Sequence, residues 1–373
     1  MENFRLNSRV ASPEREYLIQ TFNDSMTHRI RSSVFSNGIL LETVEEDFIP
    51  TTTEPELLEL VKITHKERKE EVEHLLEKFA EAIKSEDVDQ IDTLGLAMMY
   101  KRMLVEAEVL FRRAVSLRPD SHEPLSHLGT VLMSQHKYDE AVQAFDRCVQ
   151  LQPSFADYRN NLGEAFLALN SCKRAMIEFE EAITLNLYYG DAYYNKALAY
   201  ICNAIKREDF KLFSEHASKT LEMLEKAVVI APEYQDNLYF EGRALFEQGD
   251  LEAAYTKLLQ VREHKKERRY RESSNVYLRF MLASDKMDDK ALSKRILHLK
   301  EAISKNPHYP DLHYELAVAY TLMGRFVHAK AIQEYQEALK INPNFERAKR
   351  SLKIAENEFR GFDALVKVIT KGS

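Results

Sequence analysis

His122-Glu123 followed by His127 is this chain's nearest approach to a metal-hydrolase signature. That chemistry needs two histidines four residues apart on one helical face, with the intervening glutamate activating a zinc-bound water. Here the gap is five residues, and Pro124 sets His122 at or before the helix start. At about 100° per residue the two rings would point roughly 140° apart. Both are read as surface or groove histidines, and no metal is expected. Asp87, Asp89 and Asp92 are a second candidate, but acids recur at the start of later segments as Glu123, Asp157, Asp191, Asp236 and Asp311. A helix N-terminus favours negative charge, so these are read as helix-start acids. The ten glycines are never closer together than seven residues, which excludes GxGxxG, the P-loop and GxSxG. No nucleophile, base and orienting group can be assembled. The expectation is a protein with no catalytic residues and no cofactor. "REHKKERRYRE" at 262–272 is read as a solvated helix with i,i+4 ion pairs, the alternative being a site for nucleic acid or an acidic partner.

The elements that would position such residues are mostly helical. Glycine and proline number ten each in 373 residues, Trp is absent, and Ala, Leu, Glu and Lys dominate. A net charge of −8 argues against a general nucleic-acid or anionic-membrane binder. Cys148, Cys172 and Cys202 form no CxxC pair, so reduced thiols in a cytoplasmic protein are expected. The first residues lack the apolar core of a secretory signal, and no apolar run approaches the roughly 20 residues of a membrane span. Membrane insertion is not expected.

Residues 1–52 predict a small antiparallel β-meander. "REYLIQTF", "HRIRSSVF" and "SNGILLETV" read as three strands, with turns at Asn23-Asp24-Ser25 and Asn37-Gly38. Residues 53–87 form a connecting or capping helical segment, opened by a Thr53/Glu56 capping box. Its polar middle, "HKERKEE", leaves open one long helix or two short ones.

From Val88 a 34-residue period sets in. Small residues stand at Gly95, Gly129, Gly163, Ala197, Gly242, Ala283 and Ala317. Sixteen residues after each of the first three come Phe111, Phe145 and Phe179; with insertions allowed for, Leu224, Leu258, Leu299 and Tyr335 follow. Ala114, Cys148, Ala182, Ala227, Val261, Ala302 and Ala338 come three residues later, and Pro closes five of the seven units. Antiparallel helices crossing at 8–10 Å need small side chains at the contact, and Pro ends the second helix. One such pair cannot bury its apolar face alone, so pairs stack.

"LGTVLMSQHKYDEAVQAFDRCVQLQP" carries nearly the full signature of the tetratricopeptide repeat (TPR) family, which residues 88–359 closely resemble. The resemblance implies a mostly α fold, a right-handed α-solenoid of antiparallel helix pairs. About seven units are expected, at 88–121, 122–155, 156–189, 190–234, 235–268, 269–309 and 310–345, with a capping helix and tail at 346–373. The fourth carries an insertion near 203–217, and the fifth has Lys266 where Pro is usual. The β-module resembles modules preceding helical regions in some bacterial proteins.

First helices line the inner, concave surface of such a stack. In peptide-binding relatives an Asn on this surface holds the backbone of an extended ligand. The resemblance therefore implies that Asn161 and Asn195 do so, with His127 standing in for a third. Neighbouring groove positions supply Asn160, Glu164, Tyr194 and Tyr239. A chaperone-tail carboxylate clamp is not expected. Its cationic positions fall on Asp92, Asp157 and Asn161 in one frame and on Ser126, Asp191 and Asn195 in the next. The expected function is a non-catalytic scaffold or adaptor binding a peptide or helix of a protein partner in this groove. The alternative is a regulatory protein whose β-module docks or senses while the repeats tether. Self-association is left open.

Overall fold

The computed structural model describes residues 3–12, 15–206, 210–281, 289–305, 310–341, 348–357 and 361. The chain forms two compact units, 1–120 and 121–373.

The first unit opens with four antiparallel strands in the order β1 (Arg5–Ala11), β2 (Glu16–Asp24), β3 (Arg29–Ser36) and β4 (Ile39–Asp47). Three were expected. β1 escapes because its outward positions are Arg5, Asn7 and Arg9, paired with Phe22, Gln20 and Leu18, so an edge strand reads as a polar leader. The Asn37-Gly38 hairpin is as expected, both residues having positive φ at 50° and 78°. The first expected turn is displaced: β2 runs through Asp24, whose carboxylate accepts from the Met26 and Thr27 amides at 3.0 and 3.3 Å, and His28 takes φ 52°.

The open choice after Thr53 resolves to one helix, α1 (Glu54–Ala82), whose start is fixed by Glu56 accepting from the Thr53 amide at 2.9 Å. Apolar contact between α1 and the sheet comes from Ile30, Phe48, Leu57 and Val61. One face of the polar middle of α1, His65 and Arg68, is buried, while Lys66, Glu67 and Glu70 are exposed. His65 bridges the hydroxyls of Ser8 (2.8 Å) and Thr21 (2.9 Å), and Thr21 meets Ser32 at 2.7 Å. Arg68 and Lys101 share Glu42 and Glu71. Burial, helped by Lys69, lowers the His65 pKa, so the neutral ring suits this site.

Helix pairs follow: α2 (Val88–Tyr100) with α3 (Leu104–Leu117) in the first unit. In the second come α4 (His122–Ser134) with α5 (Tyr138–Leu151), α6 (Ala156–Ala168) with α7 (Cys172–Leu185), α8 (Gly190–Ile205) with α9 (Phe210–Ile230), and α10 (Asn237–Glu247) with α11 (Leu251–Met281). Small residues sit where the period demands. A Cβ built on Gly95, Gly129 or Gly163 would lie 2.5–2.6 Å from a ring carbon of Phe111, Phe145 or Phe179, and one on Gly242 would lie 2.9 Å from Leu258. The glycine is the floor on which the ring rests, and Ala114, Cys148, Ala182 and Ala227 are fully buried one turn beyond.

A feature outside the hydrophobic pattern ends the first helix of four pairs. Arg102, His136, Asn170 and Gly249, each at the fifteenth position of its unit, have φ of 58°, 61°, 57° and 86°. The next amide reaches back to Met98, Leu132, Phe166 and Leu245 carbonyls at 2.8–3.0 Å. These are Schellman caps.

Beyond α10 the fifth and seventh units depart from expectation. α11 continues for 31 residues instead of stopping near 266, because Lys266 keeps the amide that Pro would remove. α12 (Asp289–Lys305) packs against α13 (Pro310–Ile341), which is one unbroken helix across the expected seventh pair. Gly324 stands at the turn position yet remains helical, and Ala317, expected at a crossing, is exposed. A single glycine weakens a helix by only about 1 kcal/mol and does not by itself stop one. Ala283 and most of the 361–370 tail lie outside the described residues, as does part of the 203–217 insertion; 348–357 is helical.

Cys172 and Cys202 form a disulfide, against the expectation of three reduced thiols; Cys148 is free and buried, its pKa pushed up to about 12 by burial. The pairing follows from antiparallel packing. A chain that descends α7 and returns along α8 brings the end of the second helix beside the start of the first, with Cα atoms 6.2 Å apart.

Candidate functional site

Within the second unit α4 packs on α6 and α6 on α8, so the first helices stand side by side as a wall. The 34-residue period carries His127, Asn161 and Asn195 to the same position on successive helices of that wall.

The candidate residues fare differently. Asn195 is 1 % exposed, and its Nδ2 donates to Asn160 Oδ1 at 3.0 Å and to Glu164 Oε1 at 2.9 Å. Asn160 is buried and donates to Glu164 Oε1 at 3.3 Å. Asn160, Glu164 and Asn195 are thus one hydrogen-bonded cluster joining α6 to α8. Asn161, half-buried on the adjacent position, stands outside that cluster. His127 is buried on α4. Tyr194 is fully buried, its hydroxyl donating to the Leu258 carbonyl at 2.8 Å and its ring stacked on Tyr234 at 4.0 Å. Burial raises its pKa well above the ordinary phenol value. Tyr239 is also buried, edge-on to Phe240 at 5.4 Å, and so is a core residue of α10.

The structure adds residues that sequence reasoning passed over. α11 packs on α8 and turns Arg262, Lys265 and Lys266 toward the wall. Arg262 Nη1 donates to Asn195 Oδ1 at 3.4 Å, and Lys266 pairs with Glu164. Lys265, 7 % exposed, pairs with Asp191 and with Glu233 at 3.2 Å, and lies 4.1 Å from the Tyr234 ring centroid. The Tyr234 hydroxyl donates to Asp191 Oδ1 at 2.7 Å. One face of this half of "REHKKERRYRE", centred on Arg262 and Lys265, is therefore packed, while Glu263, His264 and Lys266 remain exposed. Asp191 stands in the first turn of α8, as read, and is in addition an ion-pair centre. Burial pushes the Glu164 carboxyl up, but Lys266 and Arg262 outweigh it and hold the pKa below the ordinary value. The missing Pro at Lys266 was the available signal, since a helix that does not stop must lie on something.

Among the described residues, no group of three His, Cys, Asp or Glu could hold a metal ion, and no helix is long and apolar enough to cross a membrane. His122 meets the Tyr158 hydroxyl at 2.7 Å through Nδ1.

Family models described as tetratricopeptide repeat match residues 127–186 and 310–345. No curated protein matches the chain. Similar solved structures include MamA, 25 % identical with TM-score 0.35, covering 46 % of this chain and 96 % of that one. MamA 41-end from Desulfovibrio magneticus RS-1 is 21 % identical with TM-score 0.37, over 48 % and 97 %. YrrB, a TPR protein described with an unusual peptide-binding site, is 19 % identical with TM-score 0.36, over 49 % and 91 %. The first of the two matched segments spans the α4–α7 pairs, with Gly129 under Phe145 and Gly163 under Phe179. Tetratricopeptide repeats are thus present in this chain at residues 127–186 and 310–345.

Proposed function

We propose that this protein is a non-catalytic protein-interaction scaffold whose α4–α6–α8 wall receives a peptide or helix of a protein partner. Tetratricopeptide repeats support the scaffold role in general. The observation that carries the wall in particular is the row His127, Asn161, Asn195 on adjacent first helices, in which half-buried Asn161 lies beside a polar cluster it does not join. A primary amide both donates to and accepts from a peptide unit, which holds an extended backbone without demanding a sequence. The test is affinity capture from native cells with mass spectrometry, comparing wild type with Asn161→Ala. Loss of the captured partner supports the wall; equal recovery removes it.

A second function is favoured by β4, an edge strand with Ile39 and Leu40 67 % and 53 % exposed. Such an edge accepts an added strand, which would make the β-module the docking element. Leu40→Asp abolishing capture while Asn161→Ala leaves it intact would favour this alternative.

A further inference from the structure

We infer that the Arg262–Lys266 turn of α11 occupies the α6–α8 wall as a built-in ligand, and that the partner segment the wall receives is a basic helix with the same Arg/Lys spacing. This rests on the wall being the docking surface, as proposed above.

The three cations stand at i, i+3 and i+4, one face of a helix. That face addresses two successive first helices at once: Lys266 reaches Glu164 on α6, while Arg262 and Lys265 reach Asn195 and Asp191 on α8. The contacts span 67 to 102 residues of sequence, so they do not arise from local helix pairing. Asn195 and Glu164, two of the residues expected to grip a ligand, are satisfied through this helix. The amide takes Arg262 on its oxygen while its nitrogen holds Asn160 and Glu164.

The seat is graded. Lys265 is sunk between Asp191, Glu233 and the Tyr234 ring, whereas the Lys266 side chain is 45 % exposed. Glu164 itself is 12 % exposed, so this pair is open to solvent and to a competing cation only from its Lys266 side. The Lys266 end is therefore where an incoming basic helix displaces the resident one. The wall offers carboxylates and amide oxygens at helical spacing, so an acidic segment would meet like charge.

The probe is a fluorescent peptide of this chain's residues 256–270, TKLLQVREHKKERRY, added to the full-length protein and followed by anisotropy. Wild type should bind it weakly, and Arg262→Ala/Lys266→Ala at least tenfold tighter. Adding Glu164→Gln to that variant should reverse the gain, and a probe with its Arg and Lys changed to Glu should not bind. No tightening in a variant with wild-type circular dichroism overturns the inference, as does binding indifferent to Glu164→Gln. If the double variant fails to fold, Lys266→Ala alone decides, with the same two outcomes at an exposed residue. Partner capture that still depends on Asn161 while the probe does not bind removes the basic helix and leaves the wall. Loss of both removes the wall.

Discussion

The α2–α7 pairs and the α11–α13 helices were expected to be the same structure repeated, and they are not. In the early pairs three devices coincide: a glycine beneath a phenylalanine ring, a left-handed residue closing the first helix, and a stop for the second. In α11 the first two survive as Gly242–Leu258 and Gly249, but the stop is absent and the helix runs on to Met281. In α13 the turn residue Gly324 is present but not used. The lesson is that the crossing and the punctuation are separable. Small-against-large packing decides which helices pair, and backbone chemistry decides where each one ends.

The largest expected effect tests the crossing. Phe145→Ala empties a fully packed site over Gly129 and should lose about 3–5 kcal/mol, read by urea denaturation. A loss under 1 kcal/mol would mean that the ring does not hold α4 to α5. Next comes the punctuation. Lys266→Pro breaks a continuous helix and should cost about 3 kcal/mol. Leu187→Pro should be neutral or stabilise by about 0.5 kcal/mol, because Leu187 is the second residue of a turn closed by the Tyr189 amide on the Asn186 carbonyl at 3.2 Å. Equal losses at the two sites would erase the distinction between the regions. A smaller gain is expected from His136→Gly, which relieves a left-handed non-glycine residue and should stabilise by up to about 1 kcal/mol in thermal melts.

Acid should separate the regions as well. The lowered Glu164 pKa means its ion pairs stabilise the fold above pH 4.5, the ordinary carboxyl value, and that this contribution fades as pH falls below it. Protection against hydrogen exchange in residues 258–268, taken relative to the intrinsic rate at each pH, should therefore fall on acidification before it does in α4 and α5, where the crossing is apolar. A simultaneous fall would show that α11 is not held by these charges.

The sequence made the pairing legible because a steric demand leaves a residue type at a fixed place. Gly95, Gly129 and Gly163 with their phenylalanines could be found by spacing alone. The left-handed turns could not, since Arg102, His136 and Asn170 share a backbone conformation and no side-chain type. The burial of His65 and Arg68 was hidden for another reason: a polar helix stripe looks solvated until the hydroxyls and carboxylates of the sheet that match it are placed opposite. The site was half legible. Asn161 and Asn195 occupy equivalent positions by arithmetic, but that Asn195 is already engaged depends on where α11 goes after Lys266. No periodicity reports a helix that leaves the period. The Cys172–Cys202 bond was within reach, since thirty residues is one helix out and one helix back.

The most direct test of the central claim is a double-mutant cycle between Gly129→Ala and Phe145→Leu, measured by chemical denaturation. Alanine at 129 gains helix propensity of about 1 kcal/mol but overpacks the ring by about 1–3 kcal/mol, so alone it should destabilise. With leucine at 145 the clash is relieved, and the double variant should be more stable than the sum of the single losses by about 1 kcal/mol or more. Strict additivity would contradict the account, because it would mean that the glycine is not small on account of the ring.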